Sequence, residues 1–512
     1  MNLIILDISS SNLDDLNEIS FNQNNDIILS LTPSSFYYLD LIGIEYISFH
    51  NLISIEKFQK DILKMYDNIL NLNIHNYYFK GFFREVAQYI NYYYYLDIII
   101  NYIKINNFTN IHYITDKRKS NNELDNSYSL LYKYIDFTKI TIIDKQSSAN
   151  KLKINFLLNY SFIAFFKKLK NRLFNNNLKY DWFYINPRIY KKQISINQAK
   201  ITFDINNDFF KYIDNNELQF NIVRDILQVT PYITFITKDV YSQIIEYLNL
   251  DGKLYFFQHG SYLYKNIFIK YSEVELADIN FVFNDYTKKL FKDLNAKKVY
   301  NVGSILFNRP IKEKKKKYDF LYITQGHDYF GNLQYVDFTN SLHSFDGYEL
   351  YQRHKSIIEL FGTKFSDKKI MIRVHPCVVT TGIYVPFWEL SKKYKNITID
   401  VSIPIHNLIE KSKYIISDYF TTEFINRELH YKRDIILFEG APTPLPKDIM
   451  KDMDKMFILV DTVNDLKEKI ENIENITKNR KRYDDIIEYY SSKKCDTKKV
   501  VTEILEKELN GR

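Results

Sequence analysis

Short apolar runs recur along this chain at intervals long enough to hold a helix. In the first half these are Leu3–Leu6, Asp26–Leu31, Ile111–Ile114, Lys139–Ile143, Trp182–Ile185, Tyr232–Ile236 and Leu254–Phe257, each bounded by polar residues, and they predict buried strands. Between them lie helix-period stretches such as Ile55 to Leu70 and Phe82 to Asn106. Strands alternating with helices predict a mostly parallel sheet, because a parallel neighbour is reached only through a crossover. The alternation continues through a helix-like Ser272 to Leu276, strand Ile279–Phe283, helix Tyr286 to Leu294 and strand Val299–Val302, which ends at Gly303.

A charged run with a proline follows, Arg309-Pro310-Ile311-Lys312-Glu313 and then Lys314 to Lys317. It reads as a solvated linker and not as a nucleic-acid patch. Beyond it the same pattern restarts: Phe320–Thr324, helix Tyr348 to Leu360, Lys369–Val374, Ile397–Asp400, helix His406 to Lys411, Tyr414–Ser417, helix Thr422 to Leu429, Asp434–Phe438 and Phe457–Val460. Lys/Glu-rich helices run from Val463 onward. The expected organisation is an α/β domain over 1–308, a linker over 309–318, a second α/β domain over 319–490 and a closing helix over 491–512. That is two Rossmann-like lobes facing a central cleft, the default place for a ligand.

Composition narrows the class. A chain of 512 residues is too long for one core, and a hydrophobic fraction of 46% is ample for several. The two cysteines, Cys377 and Cys495, and an N-terminus that enters directly as a strand suit a reducing cytoplasm. The longest apolar stretch, Ile154 to Phe166, is shorter than the roughly 18 to 20 residues of a membrane span. It is followed by Lys167, Lys168, Lys170 and Arg172, so 154–172 reads as a buried helix with a basic end or as a peripheral contact with an anionic membrane. The net charge of +7 fits both. Of the 12 glycines only Gly43 and Gly81 precede residue 250, so the tight-turn chemistry is concentrated in the second half.

Three short sites follow strand-like runs there. Ser417-Asp418-Tyr419-Phe420-Thr421-Thr422-Glu423 reads as a strand end, a turn and a capped helix start, whose free amides, positive dipole end and hydroxyls suit a phosphate. Arg373-Val374-His375-Pro376 ends another strand, and the proline holds His375 at the sheet edge, where with Arg373 it could neutralise a leaving phosphate. Gln258-His259-Gly260 ends a strand of the first half, and His259 is a candidate base. Each also reads as an ordinary turn or capped helix. Thr324-Gln325-Gly326-His327 and Ser9-Ser10-Ser11-Asn12, after the first strand of each half, are weaker candidates for a phosphate loop (Gln325, Gly326) and an acceptor contact (Ser10, Ser11, with Gly260). The glycine-rich dinucleotide and P-loop patterns, the H-E-x-x-H zinc motif, a cysteine cluster and G-x-S-x-G are all missing from the sequence.

A His-Gly after a strand in the first half, an Arg-x-His-Pro in the second and a Ser-Asp-Tyr-x-[ST]-[ST] some forty residues on resemble the GT-B transferases of bacterial surface-polymer synthesis. The nearest likenesses are the CDP-glycerol glycerophosphotransferases and the capsule-type Kdo- and sialyl-transferases that use CMP-sugars. The resemblance covers about residues 230 to 445. It implies a catalytic or acceptor-side His259, donor-phosphate ligands at Arg373 and His375, and a phosphate-binding helix start at Ser417, Thr421 and Thr422, with Asp418 and Glu423 beside them. The chain departs from the family's pattern in carrying Thr421-Thr422 for Ser-Ser and in lacking a proline in Lys432-Arg433-Asp434-Ile435. The implied activity is cytoplasmic, metal-independent glycosyl transfer from a nucleotide-activated donor, CMP-type favoured, to a glycan or lipid-linked acceptor of the cell envelope. It needs neither cofactor nor nucleic acid. A glycerophosphotransferase, a sugar-nucleotide 2-epimerase and a non-catalytic glycan- or nucleotide-binding protein on the same fold stay open.

Overall fold

The computed structural model describes residues 2–8, 21–22, 25–54, 57–58, 60–61, 64, 94, 97–116, 135–143, 236–237, 255–258, 270, 274–275, 277–304, 314–324, 347–374, 386–401, 403–418, 434–438 and 447–510. The predicted strand Trp182–Ile185, helix Thr422 to Leu429, segment 154–172 and most of the helices Ile55 to Leu70 and Ser272 to Leu276 lie outside these residues.

Described strands pair in parallel throughout, as the alternating pattern predicts. In the first unit, β1 (Asn2–Asp7), β2 (Asp26–Ser30), β3 (Ile47–Ser48), β4 (Asn110–Asp116) and β5 (Lys139–Ile143) form a five-stranded sheet in the order β3-β2-β1-β4-β5. A second sheet runs β6-β7-β8-β9, from β6 (Ile236–Thr237) through β7 (Tyr255–Phe257) and β8 (Ile279–Val282) to β9 (Val299–Asn301).

The second unit holds β10 (Tyr318–Ile323), β11 (Ile370–Arg373), β12 (Ile397–Asp400), β13 (Ser412–Ser417), β14 (Ile435–Phe438) and β15 (Ile458–Val460). Its six-stranded sheet has the order β12-β11-β10-β13-β14-β15, which in chain order is the doubly wound 3-2-1-4-5-6. Successive residues of these strands supply two separate cores, Phe320, Tyr322, Ile370 and Ile372 on one face and Leu321, Ile323, Met371 and Ile415 on the other. Burial on both faces explains why the strands read as near-continuous apolar runs. Two Rossmann-like α/β units in one chain are the GT-B type of architecture that the sequence predicts.

Helices α1 (Pro33–Ile42), α2 (Phe49–Leu52), α3 (Asp285–Asp293), α4 (Gly347–Thr363), α5 (Pro386–Ser391), α6 (Ile405–Lys411), α7 (Lys447–Met456), α8 (Val463–Glu471), α9 (Ile473–Asn479), α10 (Asp484–Tyr490) and α11 (Thr497–Asn510) flank the sheets. Helix α1 is not among the periodicity-predicted elements, although its ends are written in the sequence. Thr32 caps it, Pro33 opens it, and Gly43 closes it in the left-handed conformation at φ 69°.

Among the described residues the two units touch at two places. Phe36 and Tyr37 of α1 are buried in the same core as α4 and the six-stranded sheet. At the other contact, α10 and α11 return to the first unit. The Tyr490 ring stacks on Tyr286 at 4.6 Å, Asn284 donates to the Tyr490 carbonyl at 2.7 Å, and Val500, Val501 and Ile504 cover Ile279, Phe281 and Val302. The closing helix therefore packs on the β6–β9 sheet. Gly303 makes room for this return. Its φ is +68°, and a Cβ there would lie 2.4 Å from the Lys493 carbonyl oxygen, so both backbone conformation and space demand glycine. Gly303→Ala should lower stability by at least about 2 kcal/mol in denaturant titration; an unchanged midpoint would rule out this packing.

Candidate functional site

In a sheet of this order the strand-end crevice opens between β10 and β13, where the chain reverses its direction of winding. Ile323 is in register with Arg373 on one side and Ser417 on the other. One residue further along, the Thr324 amide donates to the Arg373 carbonyl at 3.1 Å and the Asp418 amide to the Ile323 carbonyl at 3.2 Å. Three of the sequence motifs, those at Thr324, Arg373 and Ser417-Asp418, therefore start from adjacent positions of a single sheet edge. Gln325, Gly326, His375, Thr421, Thr422 and Glu423 continue from those strands and lie outside the described residues, as do Ser10, Ser11, His259 and Gly260.

Edge residues differ in how they are held. Arg373 is half-buried, with Nη1 3.4 Å from the carbonyls of Val374 and Asp400. Ser417 and Thr324 are fully buried, and among the described residues the Thr324 hydroxyl has no hydrogen-bond partner.

Asp418 is buried and accepts from the Tyr322 hydroxyl at 2.7 Å and from His354 Nε2 at 2.7 Å. His354 lies on the inner face of α4 and is itself fully buried. Neighbouring Arg353 lays its guanidinium 4.7 Å from the centre of the Phe438 ring. Burial alone raises the Asp418 carboxyl, but His354, Arg353 and the Tyr322 hydroxyl outweigh it and hold it below the ordinary carboxylate range. Burial depresses the His354 imidazole, against the opposing pull of Asp418. The pair is thus a carboxylate and a neutral imidazole, and since an ionised carboxylate only accepts, Nε2 carries the proton. Ser417-Asp418 leads directly into the Thr421-Thr422 segment, so this network fixes the root of the expected phosphate loop.

Sequence reasoning named Asp418 but not Tyr322, Arg353 or His354. The signal was available: Leu350, Tyr351, Ile357, Ile358 and Phe361 form a helical apolar stripe, and His354 falls inside it. A histidine on such a face needs a buried partner.

In the first unit Gln258 is an internal lock. Its side-chain oxygen accepts from the Phe283 amide at 2.6 Å and its Nε2 donates to Thr287 at 3.2 Å, which fixes the backbone one residue before His259. Asp7, at the end of β1, is fully buried and accepts from the Tyr113 hydroxyl of β4 at 2.7 Å. Among the described residues no group of three or more His, Cys, Asp or Glu could hold a metal, and no helix is long and apolar enough to cross a membrane.

No family model and no curated protein matches this sequence. Solved structures give loose likenesses. The UDP-GlcNAc 2-epimerase of Methanocaldococcus jannaschii, in complex with UDP-GlcNAc and UDP, is 14% identical over 58% of this chain and 81% of its own, with a TM-score of 0.36. The UDP-GlcNAc 2-epimerase from Neisseria meningitidis bound to UDP-GlcNAc is 13% identical over 78% and 100%, at 0.37. The calicheamicin glycosyltransferase CalG4 is 9% identical over 99% and 97%, at 0.30. Likenesses this loose leave function to the residues themselves.

Replacing Asp418 by Ala leaves the buried His354 Nε2–H and the buried Tyr322 hydroxyl without their acceptor and should cost about 1 to 3 kcal/mol of stability for each group. The pH dependence has a definite sign. An unfolded histidine takes up a proton near about pH 6.5 while the buried one resists, so the unfolded state binds more protons and stability falls as pH drops through that region. Asp418 adds to the fall in the acid range, because its stabilisation is lost as pH passes down through its lowered folded value. The melting temperature should decline from about pH 7.5 to about pH 5, and less steeply in His354→Gln. Parallel slopes would exclude a neutral buried imidazole.

Proposed function

We propose that this chain is a nucleotide-sugar-dependent glycosyltransferase, in which the β10–β13 edge of the six-stranded sheet holds the donor phosphate and the first unit receives the acceptor. The observation that carries the reading is the shared edge: Thr324, Arg373 and Ser417-Asp418 belong to three strands yet occupy adjacent positions at the point where open α/β sheets bind ligands. Phosphate ligands of the right chemistry follow at each position. In this reading Arg373 and His375 meet the leaving phosphate with charge and hydrogen bonds, Gln325 and Gly326 offer a close backbone approach, and the sequence beyond the strand end at Ser417 supplies Thr421, Thr422 and Glu423 as the expected phosphate-binding helix start. With those groups present the transfer runs without a metal. In this reading His259, which follows the Gln258 lock in the chain, takes the acceptor's proton as the glycosidic bond forms, and Gly260, Ser10 and Ser11 are the acceptor-side candidates.

The motif resemblance favours a CMP donor carrying Kdo or a sialic-acid-like sugar. The acceptor is a glycan or lipid-linked chain of the cell envelope, reached from the cytoplasm, and the apolar run with a basic end at 154–172 suits a peripheral membrane contact as well as a buried helix.

A thermal-shift panel of CMP, CDP, UDP and GDP tests the donor, since a ligand of the folded state raises the melting temperature by mass action. CMP should give the largest shift; preference for CDP would redirect the reading to CDP-glycerol, and preference for UDP to UDP-sugars. Arg373→Ala and His375→Ala should each weaken nucleotide binding by about 1.5 to 3 kcal/mol, the range for hydrogen bonds to a charged group. Unchanged affinity in both, with folding intact, removes them from the phosphate site.

His259→Ala should behave differently, lowering turnover about a hundredfold while leaving the nucleotide dissociation constant where it was. Full turnover in that variant would exclude His259 as the base, and lost nucleotide affinity would put it on the donor side.

A further inference from the structure

Consecutive residues of α4 hold carboxylates from two different parts of the molecule. His354 holds Asp418 at the nucleotide edge of the second unit, and Lys355 Nζ lies 2.6 Å from Asp40 of α1 in the first unit. Tyr351, one helical turn before Lys355, also donates to Asp40, at 2.7 Å. Helix α4 is thus fixed on one side by the first unit and on the other by the strand end that leads into the phosphate segment.

The two carboxylate contacts differ in kind. The Asp418 pair is sealed from water, whereas Lys355 and Asp40 are 28% and 22% exposed. A wet ion pair is cheap to break and a dry one is not, so movement between the units would yield at Asp40 first. Residues one position apart on a helix cannot move independently, and a shift of α4 that releases Lys355 also displaces the His354 imidazole beneath Asp418.

We propose that Asp40 is a positioning residue for the nucleotide site of the other unit: by holding Tyr351 and Lys355 it sets α4, and α4 sets His354 under Asp418. Seating of the first unit against the second thereby prepares the donor-phosphate edge. The proposal rests on the nucleotide reading of that edge for its ligand, but its structural half stands on its own and is tested separately.

Two readouts distinguish them. The first is nucleotide affinity by calorimetry, with CMP, CDP and UDP as probes, well below the melting temperature. Asp40→Ala should weaken binding about fivefold or more. The charge-swapped pair Asp40→Lys with Lys355→Asp should restore most of it, which a merely destabilised fold would not. Unchanged affinity in folded Asp40→Ala overturns the proposal. The second is the downfield proton resonance of His354 Nε2–H, assigned by its loss in His354→Gln. It should shift or broaden in Asp40→Ala and return in the swapped pair. If wild-type protein binds no nucleotide, the functional reading fails, and the resonance alone decides the coupling: movement supports it and an unmoved signal overturns it.

Discussion

A carboxylate buried at a strand end is expensive, and Asp418 can stay ionised only because Tyr322, His354 and Arg353 surround it. Much of the second unit follows from meeting that demand. Tyr322 must come from β10, the neighbour of β13, so the two strands on either side of the winding reversal are bonded through side chains as well as backbone. His354 and Arg353 must come from α4, which fixes the rotation of that helix and puts Tyr351, Ile357 and Phe361 into the core. Phe438 under the Arg353 guanidinium brings β14 into the same arrangement. Asp418, His354 and Tyr322 are sealed from water, so the strand end at Ser417-Asp418 is held rigidly.

The first unit shows a related device at its own winding reversal. Tyr113 of β4 donates to Asp7 at the end of β1, whereas in the second unit the tyrosine is on the first strand of the sheet and the aspartate at the end of the fourth. The two sheets thus solve one problem, a polar edge over an apolar interior, with the partners exchanged. This likeness between the halves lies in side-chain chemistry that no repeated stretch of sequence records.

The sheet was readable because its strands are buried on both faces. Ile370–Ile372, Tyr414–Ile416 and Ile435–Phe438 are unbroken apolar runs, and their order in the chain needed only the rule for parallel crossovers to become a topology. The edge motifs were readable for the same reason, since polar residues after such a run stand at its end. Helix α1 was harder, because Phe36, Tyr37, Tyr38 and Leu39 are consecutive apolar residues that show no 3.6-residue period. The burial of His354 is written in the apolar stripe around it, but its partner is not, and the contact of Lys355 with Asp40 leaves no trace: charged residues on a helix look the same in sequence whether they face water or a partner from another unit. Only the placement of Asp40 and Asp418 on either side of α4 tells them apart.

The return of α11 to the β6–β9 sheet has a consequence for how the protein is made. Ile279, Phe281 and Val302 are covered by Val500, Val501 and Ile504, so this sheet waits some two hundred further residues of synthesis for its cover. Until then one apolar face of that sheet is open to water while the second unit is already emerging and able to fold around its own core. Such an intermediate is the kind of species that chaperones retain, and completion of the first unit is deferred until the second exists. The ribosome therefore releases the two units in one order, and the fold completes them in the other.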